Sequence, residues 1–297
     1  MSQKDFTSWM LVNDFVGKQY HDTYPAISPT SANLSGTSVL ITGASKGCGR
    51  VAASRFAMAG ASRIAVAARS SLSAVEEEVK KAAAAAGHPA PQVLALQLDV
   101  TSEESVAAAR EAVEAAFGGS LDMLVNNAGY LEEWKAVGES DPAEWWRSWE
   151  VNVKGTYLMC RHFMPLVLAS KGKTIVNLTS AGAHNTNHGA SAYQGSKFAI
   201  CRFTQFLDAE YRSQGLVAVV AHPGGVRTEL ALNMPEFMHA ILVDEPELAG
   251  DTFVWLARER REWLAGRFIS CTWDVEELEG KKGEIVERDL LKFRMAV

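Results

Sequence analysis

The chain has 297 residues, 47% of them hydrophobic, and a formal net charge of −6. These values are typical of a globular protein that buries a large core. They argue against nucleic acid as a partner, because phosphate binding requires basic surfaces. No apolar run approaches the roughly 18 residues of a transmembrane helix, and the N-terminus lacks a signal-peptide pattern. We therefore expect a cytoplasmic protein that acts on a small molecule, with no membrane or nucleic-acid partner.

Residues 1–36 differ in composition from the rest of the chain. They are rich in Ser, Thr, Asp and Pro, and Pro25 and Pro29 interrupt regular structure. We predict that they form an N-terminal arm that wraps the domain or meets a partner subunit. The cysteines are widely spaced along the whole chain and form no metal-ligand pattern, so we predict reduced thiols and no metal site.

From residue 37 onward, short apolar runs alternate with segments of helical length. The clearest helices are predicted over residues 72–86 and 103–117, the second with Thr101 or Ser102 as its N-cap. Residues 37–297 are therefore predicted to form one α/β domain, a doubly wound, Rossmann-type parallel sheet of about seven strands with helices on both faces. The predicted strands cover residues 38–42, 63–68, 93–98, 123–126, 174–178, 217–221 and 268–271.

A glycine-rich turn follows the first predicted strand, where residues 42–49 read TGASKGCG. Glycine permits a tight turn and lets a phosphate approach the backbone, and the following helix offers free N–H groups at its positive end. At a strand–helix junction early in a βαβ series, this pattern predicts a pyrophosphate site. Its candidate cofactor-binding residues are Gly43, Ser45, Lys46, Gly47, Cys48 and Gly49.

The Gly-x-x-x-Gly-x-Gly spacing of this turn resembles the short-chain dehydrogenase/reductase family. Further motifs of that family follow in the expected order, with NNAG at residues 126–129, NVKG at 152–155 and YQGSK at 193–197. Ser180 follows the fifth predicted strand, and Pro223 and Gly224 close the sixth. The resemblance covers residues 37 to about 230. It implies an oxidoreductase that uses a nicotinamide cofactor on CH-OH/C=O groups.

The predicted catalytic residues are Ser180, Tyr193, Lys197 and Asn152. Tyr193 and Lys197 are four residues apart and share one face of a helix. A neighbouring ammonium and the positive nicotinamide of the oxidised cofactor should lower the phenol pKa below about 10. Tyr193 can then donate a proton to a carbonyl oxygen as hydride arrives, or remove one in reverse. The resemblance implies that Lys197 holds the nicotinamide ribose, Ser180 the substrate oxygen, and Asn152 a water.

The end of the second predicted strand bears on the choice between NAD and NADP, because an acidic residue there binds the ribose 2′-hydroxyl. Ala68 occupies that position, Arg69 follows it, and Lys46 adds a second charge. We therefore predict NADP(H), since both cations can bind a 2′-phosphate. The alternative is that they are solvated surface cations. By resemblance, the remaining cofactor-binding residues are Asp99, Val100, Asn126, Ala128, Gly129, Tyr193, Lys197, Pro223, Gly224, Val226 and Thr228.

Residues 229–245 follow the sixth predicted strand, where the family places a mobile substrate lid. The segment is rich in apolar residues, among them Met234 and Phe237, and suits an apolar or bulky substrate. A short core helix would have the same composition, so both interpretations stay open. Further pocket candidates are Tyr130, Trp134, His184, Asn185 and His188.

Trp145, Trp146 and Trp149 cannot all face one side of a helix. Some of them should pack in the core or at a subunit interface, and the resemblance implies a homodimer or homotetramer.

The leading functional hypothesis is an NADP(H)-dependent ketoreductase that reduces a ketone or aldehyde, or oxidises a secondary alcohol. An isomerase, epimerase or cyclase could use the same pocket with a recycled cofactor. A non-catalytic NADP(H) sensor is the third alternative, although it would not need the catalytic set.

Overall fold

A computed structural model describes residues 15–295 of the chain. The strands are β1 (Ser38–Thr42), β2 (Arg63–Ala68), β3 (Gln92–Gln97), β4 (Met123–Asn126), β5 (Thr174–Leu178), β6 (Val217–His222) and β7 (Phe268–Ser270). The helices are α1 (Gly47–Met58), α2 (Ser73–Ala85), α3 (Glu103–Phe117), α4 (Pro142–Trp149), α5 (Gly155–Ala169), α6 (Ser191–Tyr211), α7 (Pro246–Arg258), α8 (Val275–Gly280) and α9 (Lys282–Glu287). No helix within this range is long and apolar enough to cross a membrane.

The strands form one parallel sheet in the order β3-β2-β1-β4-β5-β6-β7. Side chains of β1 alternate between the two faces, so that Val39 and Ile41 join one apolar cluster and Leu40 joins the other. Helices α1, α2 and α7 contribute to the first cluster, and α3 and α5 to the second. The predicted doubly wound sheet with helices on both faces is therefore confirmed.

The element boundaries differ from the predicted ones by one residue in a few places. Strand β3 begins at Gln92 and strand β7 ends at Ser270. Helix α3 spans the predicted residues, and of its two candidate N-caps it uses Ser102, whose hydroxyl accepts a hydrogen bond from the Ser105 amide. The strands other than β3 are well predicted because their burial on both faces leaves an almost continuous apolar run.

The sheet reverses its winding direction at β1. The chain runs outward from β1 to β2 and β3, then returns to place β4 on the other side of β1, where Ile41 pairs with Val66 and Val125. Open α/β sheets bind ligands in the crevice at the carboxyl ends of such strands.

Residues 15–36 pack along the domain, next to the chain segment that follows β7. The Tyr20 amide donates to the Thr272 carbonyl at 2.8 Å, and the Tyr24 hydroxyl donates to the Trp273 carbonyl at 3.0 Å. Val16 and Ile27 are fully buried there. Residues 1–14 of the predicted arm lie outside the described range.

Candidate active site

A cleft of about 1050 Å³ lies at the carboxyl ends of β1 and β4. This volume reaches the upper end of the roughly 300–1,000 Å³ typical of small-molecule sites. Most of the predicted cofactor residues line it: Gly43, Ser45, Lys46, Gly47, Cys48, Arg69, Asp99, Val100, Ala128, Gly129, Tyr193, Lys197, Pro223, Val226 and Thr228.

The glycine-rich turn packs closely against the segments that follow β4 and β6. Gly43 has φ +66°, and a β-carbon there would lie 2.9 Å from the Ala128 Cα. Gly47 has φ +56° and faces the Thr228 side chain. Helix α1 begins at Gly47, and the Lys46 side chain does not cap it, so its first N–H groups remain available to an anion. The turn therefore suits a pyrophosphate.

Gly49, Asn126 and Gly224 were predicted to bind the cofactor, but the structure places them just behind the lining of the cleft. A β-carbon on Gly49 would lie 2.5 Å from the Asn127 amide, and one on Gly224 would lie 2.7 Å from the Asp244 carboxylate. The Asn126 amide is buried and donates to the Asn177 side chain at 2.8 Å. These residues shape the wall through packing, and their predicted contact with the cofactor stays a prediction.

Two cations lie at the cleft end formed by the glycine turn and β2. Ala68 is buried, and Arg69 is exposed beside it. The Lys46 ammonium forms an ion pair with Glu229, at the start of the predicted lid, and both side chains are more than 60% exposed. The sequence did not reveal this pair, because its members are 183 positions apart.

Asp99 lies at the rim of the same end. Burial alone would raise the pKa of its carboxyl group, but hydrogen bonds from Thr101 and the charges of Arg69 and Lys154 outweigh burial and lower it. Its Oδ1 atom accepts from the Thr101 amide at 2.9 Å and from the Thr101 hydroxyl at 2.8 Å. The carboxylate is thus held ionised in a fixed orientation.

Tyr193 and Lys197 lie on the first two turns of α6 and face the cleft together, as their spacing indicated. The Lys197 Nζ atom is 5.7 Å from the centroid of the Tyr193 ring and donates to the Leu178 carbonyl at 3.0 Å. Ser180, which follows β5, forms a hydrogen bond with Tyr193. The Ser180 hydroxyl also accepts from the Gly182 amide at 3.0 Å, which fixes its orientation.

The electrostatics of this pair differ from the expectation. Burial raises the pKa of Tyr193 to about 12, and the hydrogen bond with Ser180 offsets only part of that rise. Burial also lowers the pKa of Lys197 to about 8. The protein's own groups therefore do not lower the phenol pKa, as had been expected from the Lys197 ammonium. Desolvation of the buried Tyr193 side chain is the largest effect, and it raises that pKa.

Asn152 lies in a π-helical segment, Glu150–Lys154, between α4 and α5. Its side chain is fully buried and braces the main chain of Tyr130, accepting from the Tyr130 amide at 2.8 Å and donating to the Tyr130 carbonyl at 2.9 Å. It also donates to the Ser196 hydroxyl at 2.9 Å. These contacts identify Asn152 as a structural brace, and the water contact implied by resemblance stays a prediction.

A family model for short chain dehydrogenases matches residues 37–238. The chain belongs to the short-chain dehydrogenase/reductase family. The resemblance drawn from its motifs is thereby confirmed. Short chain dehydrogenase citE of Monascus ruber is 54% identical over 283 residues, which cover 95% of this chain and 97% of that relative. Short chain dehydrogenase pigC of Monascus ruber is 45% identical over 284 residues, which cover 95% of this chain and 93% of that relative.

Solved structures show the same fold. The 3-ketoacyl-(acyl-carrier-protein) reductase from Brucella melitensis, complexed with NADH, has a TM-score of 0.69 and 28% identity, and the match covers 80% of this chain and 97% of that chain. A 7α-hydroxysteroid dehydrogenase complexed with NADH and 7-oxo glycochenodeoxycholic acid has a TM-score of 0.69 at 22% identity, covering 84% of this chain and 97% of that chain. The described part of the arm, residues 15–36, precedes the family match.

In this short-chain dehydrogenase, residues 229–245 form two short 3-10 turns, Ala231–Asn233 and Glu236–Ile241. Met238 is buried, whereas Phe237 is 52% exposed. Leu230 and Leu242 line the cleft at the two ends of the segment. One side of the segment thus packs inward and the other faces solvent, and the choice between a substrate lid and a core helix stays open.

A second cavity of about 350 Å³ adjoins the cleft and shares Tyr130 with it. His184, a pocket candidate, instead packs 4.6 Å from the rings of Phe268 and Phe293. This placement corrects the prediction, and its cause is the 3-10 turn Ala181–His184, which carries His184 towards the C-terminal segment.

One buried acidic residue of the site was missed from the sequence. Glu132, in the segment that follows β4, is 5% exposed and accepts a hydrogen bond from the Tyr193 amide at 3.0 Å. No family motif includes this position, and its partner lies 61 residues away, so sequence spacing carried no signal for it.

Proposed function

We propose that this short-chain dehydrogenase is an NADP(H)-dependent ketoreductase that acts on an apolar or bulky small molecule. The observation that carries the proposal is the Ser180–Tyr193–Lys197 group, in which Tyr193 and Lys197 line a cleft of cofactor size and Ser180 acts on the Tyr193 phenol. Such a group suits proton transfer to an oxygen beside a site of hydride transfer.

The protonation state of Tyr193 supports reduction at neutral pH. With a phenol pKa of about 12, Tyr193 remains protonated and can act as a proton donor. When bound, the reduced nicotinamide cofactor supplies a hydride to the carbonyl carbon. Tyr193 gives its proton to the carbonyl oxygen, and the product is an alcohol. Ser180 would hold that oxygen and stabilise its developing charge.

The preference for NADP(H) rests on this chain's own residues, because its Brucella melitensis neighbour is complexed with NADH. Ala68 offers no carboxylate to a ribose 2′-hydroxyl, and the exposed Arg69 can bind a 2′-phosphate with two parallel hydrogen bonds. Lys46 can contribute when it leaves Glu229, and an ion pair this exposed is weak enough to exchange.

The substrate class follows from the apolar residues next to the cleft. Leu230 and Leu242 line it, and Leu232 and Phe237 present exposed apolar surface on the predicted lid. An isomerase or cyclase could use the same pocket. A protonated Tyr193 hydrogen-bonded to Ser180 favours the ketoreductase over a non-catalytic sensor, which has no need of a proton donor.

We also propose that the protein is a cytoplasmic homodimer or homotetramer. Tyr157 of α5 and Phe198 and Phe206 of α6 are each about half exposed. A contiguous exposed apolar patch marks an interaction site. Phe206→Glu should shift the mass measured by light scattering towards the monomer if this surface is buried between subunits.

The test of the proposed function is NADPH oxidation against a panel of ketones and aldehydes. Tyr193→Phe keeps the ring but removes the transferable proton, so turnover should fall by about 10²–10⁴-fold. Tyr211→Phe, at the far end of the same helix, is the matched control and should behave like the native enzyme. Near-native turnover by Tyr193→Phe would contradict the mechanism.

A further inference from the structure

Glu132 is a buried carboxylate in contact with the helix that carries the proton donor. Its Oε1 atom accepts from the Tyr193 amide at 3.0 Å, and its Oε2 atom accepts from the Ser148 hydroxyl of α4. Glu132 is 5% exposed, and Ser148 is fully buried. The carboxylate thus joins three parts of the site, which are the segment after β4, helix α4 and the first turn of α6.

The contact with α6 replaces a missing cap. The N-cap residue of this helix is Ala190, which has no side chain able to accept a hydrogen bond. The first N–H groups of a helix need outside acceptors, and a negative charge there is stabilised by the helix dipole. Glu132 supplies both, and it does so at the amide of Tyr193 itself. The position of the phenol is therefore tied to Glu132 through the backbone.

The charge of Glu132 is a second feature of this contact, distinct from its hydrogen bonds. Both of its hydrogen-bond donors are neutral groups, and a buried carboxylate costs more free energy than a neutral amide of the same shape. Glutamine could accept the same hydrogen bond from the Tyr193 amide. A glutamate at this position therefore places next to Tyr193 a negative charge that the hydrogen bond itself does not require.

Resting on the ketoreductase function proposed above, we propose that Glu132 is a positioning residue that fixes the Tyr193 backbone and keeps its phenol in the proton-donating form. A nearby negative charge disfavours the phenolate. Cys48, on α1, is the other titratable group that raises the phenol pKa, and the Lys197 ammonium, on the same helix, lies 5.7 Å from the centroid of the Tyr193 ring. Consistent with this role, the charge of Glu132 adds to burial in raising the pKa of Tyr193.

Two substitutions separate the effect of the Glu132 charge from the effect of its hydrogen bond to the Tyr193 amide. Glu132→Gln keeps an acceptor for the Tyr193 amide but removes the charge. We expect neutral-pH turnover within about threefold of native, and an alkaline limb of the pH–rate profile about 0.5–1 pH unit lower. Ser148→Ala keeps the charge but removes the hydrogen bond from the Ser148 hydroxyl that holds the Glu132 carboxylate in place. Its turnover should fall several-fold with an unchanged alkaline limb, and both variants should bind cofactor within about twofold of native.

The experiment uses the full chain with saturating NADPH and trifluoroacetophenone as the carbonyl probe. Glu139→Gln, an exposed charge change in the same connection between β4 and α4, is the matched control. A Glu132→Gln enzyme with a native pH profile, or with a lower melting temperature as its only change, would overturn the proposal.

A second measurement does not depend on turnover. The Tyr193 phenolate can be followed by ultraviolet absorbance as the difference between each protein and its Tyr193→Phe counterpart, with whichever oxidised nicotinamide cofactor binds. Glu132→Gln should ionise at lower pH than native, and equal titrations would refute the role of the charge. If the native protein turns over no carbonyl compound while this titration shifts as expected, the proposed function fails and the assignment of Glu132 stands.

Discussion

The proposed preference for NADP(H) can be tested sharply, because Arg69 and Lys46, the two cations at the cleft end formed by the glycine turn and β2, differ in their surroundings. Arg69 is exposed beside the buried Ala68, whereas Lys46 is engaged by Glu229. A hydrogen bond to a charged group contributes about 1.5–3 kcal/mol, or roughly 10–150-fold in affinity. Arg69→Ala should therefore weaken NADPH binding by about that factor and change NADH binding by less than about twofold. Arg69→Asp should reverse the preference, because its carboxylate repels the phosphate and accepts from a 2′-hydroxyl.

Glu229 makes the same test more discriminating. Its ion pair with Lys46 is exposed on both sides and is therefore worth at most about 1 kcal/mol. Glu229→Gln would release Lys46 and should tighten NADPH binding by up to about fivefold, with the gain shrinking as salt is raised. The opposite signs of the Arg69 and Glu229 effects are hard to produce by misfolding.

The assay is fluorescence titration of NADPH and NADH at low and at physiological ionic strength. Lys81→Asp, an exposed charge reversal on α2, controls for net charge and should leave both affinities unchanged. Equal native affinities for the two cofactors would refute the assignment. So would an Arg69→Ala variant that loses NADPH and NADH binding to the same extent.

Three further predictions concern the lid and the stability of the fold. Phe237→Ala should change KM for the substrate at least several-fold while leaving the Kd for NADPH nearly constant, because Phe237 is 52% exposed on the predicted lid. Equal changes in both constants would assign Phe237 to the core. Asp251→Ala should cost about 3–5 kcal/mol and lower Tm by roughly 10 °C, because it removes the fully buried partner of Arg55, whose side chain is only 15% exposed. Glu76→Ala, which breaks an exposed pair, should barely change Tm. Burial lowers the pKa of His222 to about 3, whereas the unfolded chain takes up this proton near pH 6.5. The free energy of unfolding should therefore fall as pH decreases from about 6.5 towards 3. In His222→Gln, chemical unfolding measured at several pH values should show a smaller decrease over this range.

The sequence predicted the sheet well because its signal is local. Five consecutive buried residues in β1 and in β5 can be recognised without knowing what covers them. The Tyr193–Lys197 pair was recognisable for the same reason, since a spacing of four residues fixes a shared helix face. The π-helical segment around Asn152 was missed, because residues 150–154 of the sequence carry no breaker such as proline or glycine.

The features that the sequence did not show depend on distance in space. Lys46 meets Glu229 only because the segment after β6 returns over the glycine turn. Glu132 reaches the Tyr193 amide only because the segment after β4 packs against the start of α6. Desolvation likewise depends on complete packing, and a spacing rule contains no information about it. The sign of the Tyr193 pKa shift therefore required the structure.

That sign bears on the direction of the proposed reaction. Burial raises the pKa of Tyr193 to about 12 and lowers that of Lys197 to about 8, so both shifts disfavour charge at the reacting end of the cleft. A site of this kind holds a neutral phenol ready to give up its proton, as carbonyl reduction requires. Alcohol oxidation requires the phenolate, whose formation must be favoured by the positive charge of the oxidised cofactor or by alkaline pH. The same residues thus support both directions, and the protein's own groups favour reduction at neutral pH.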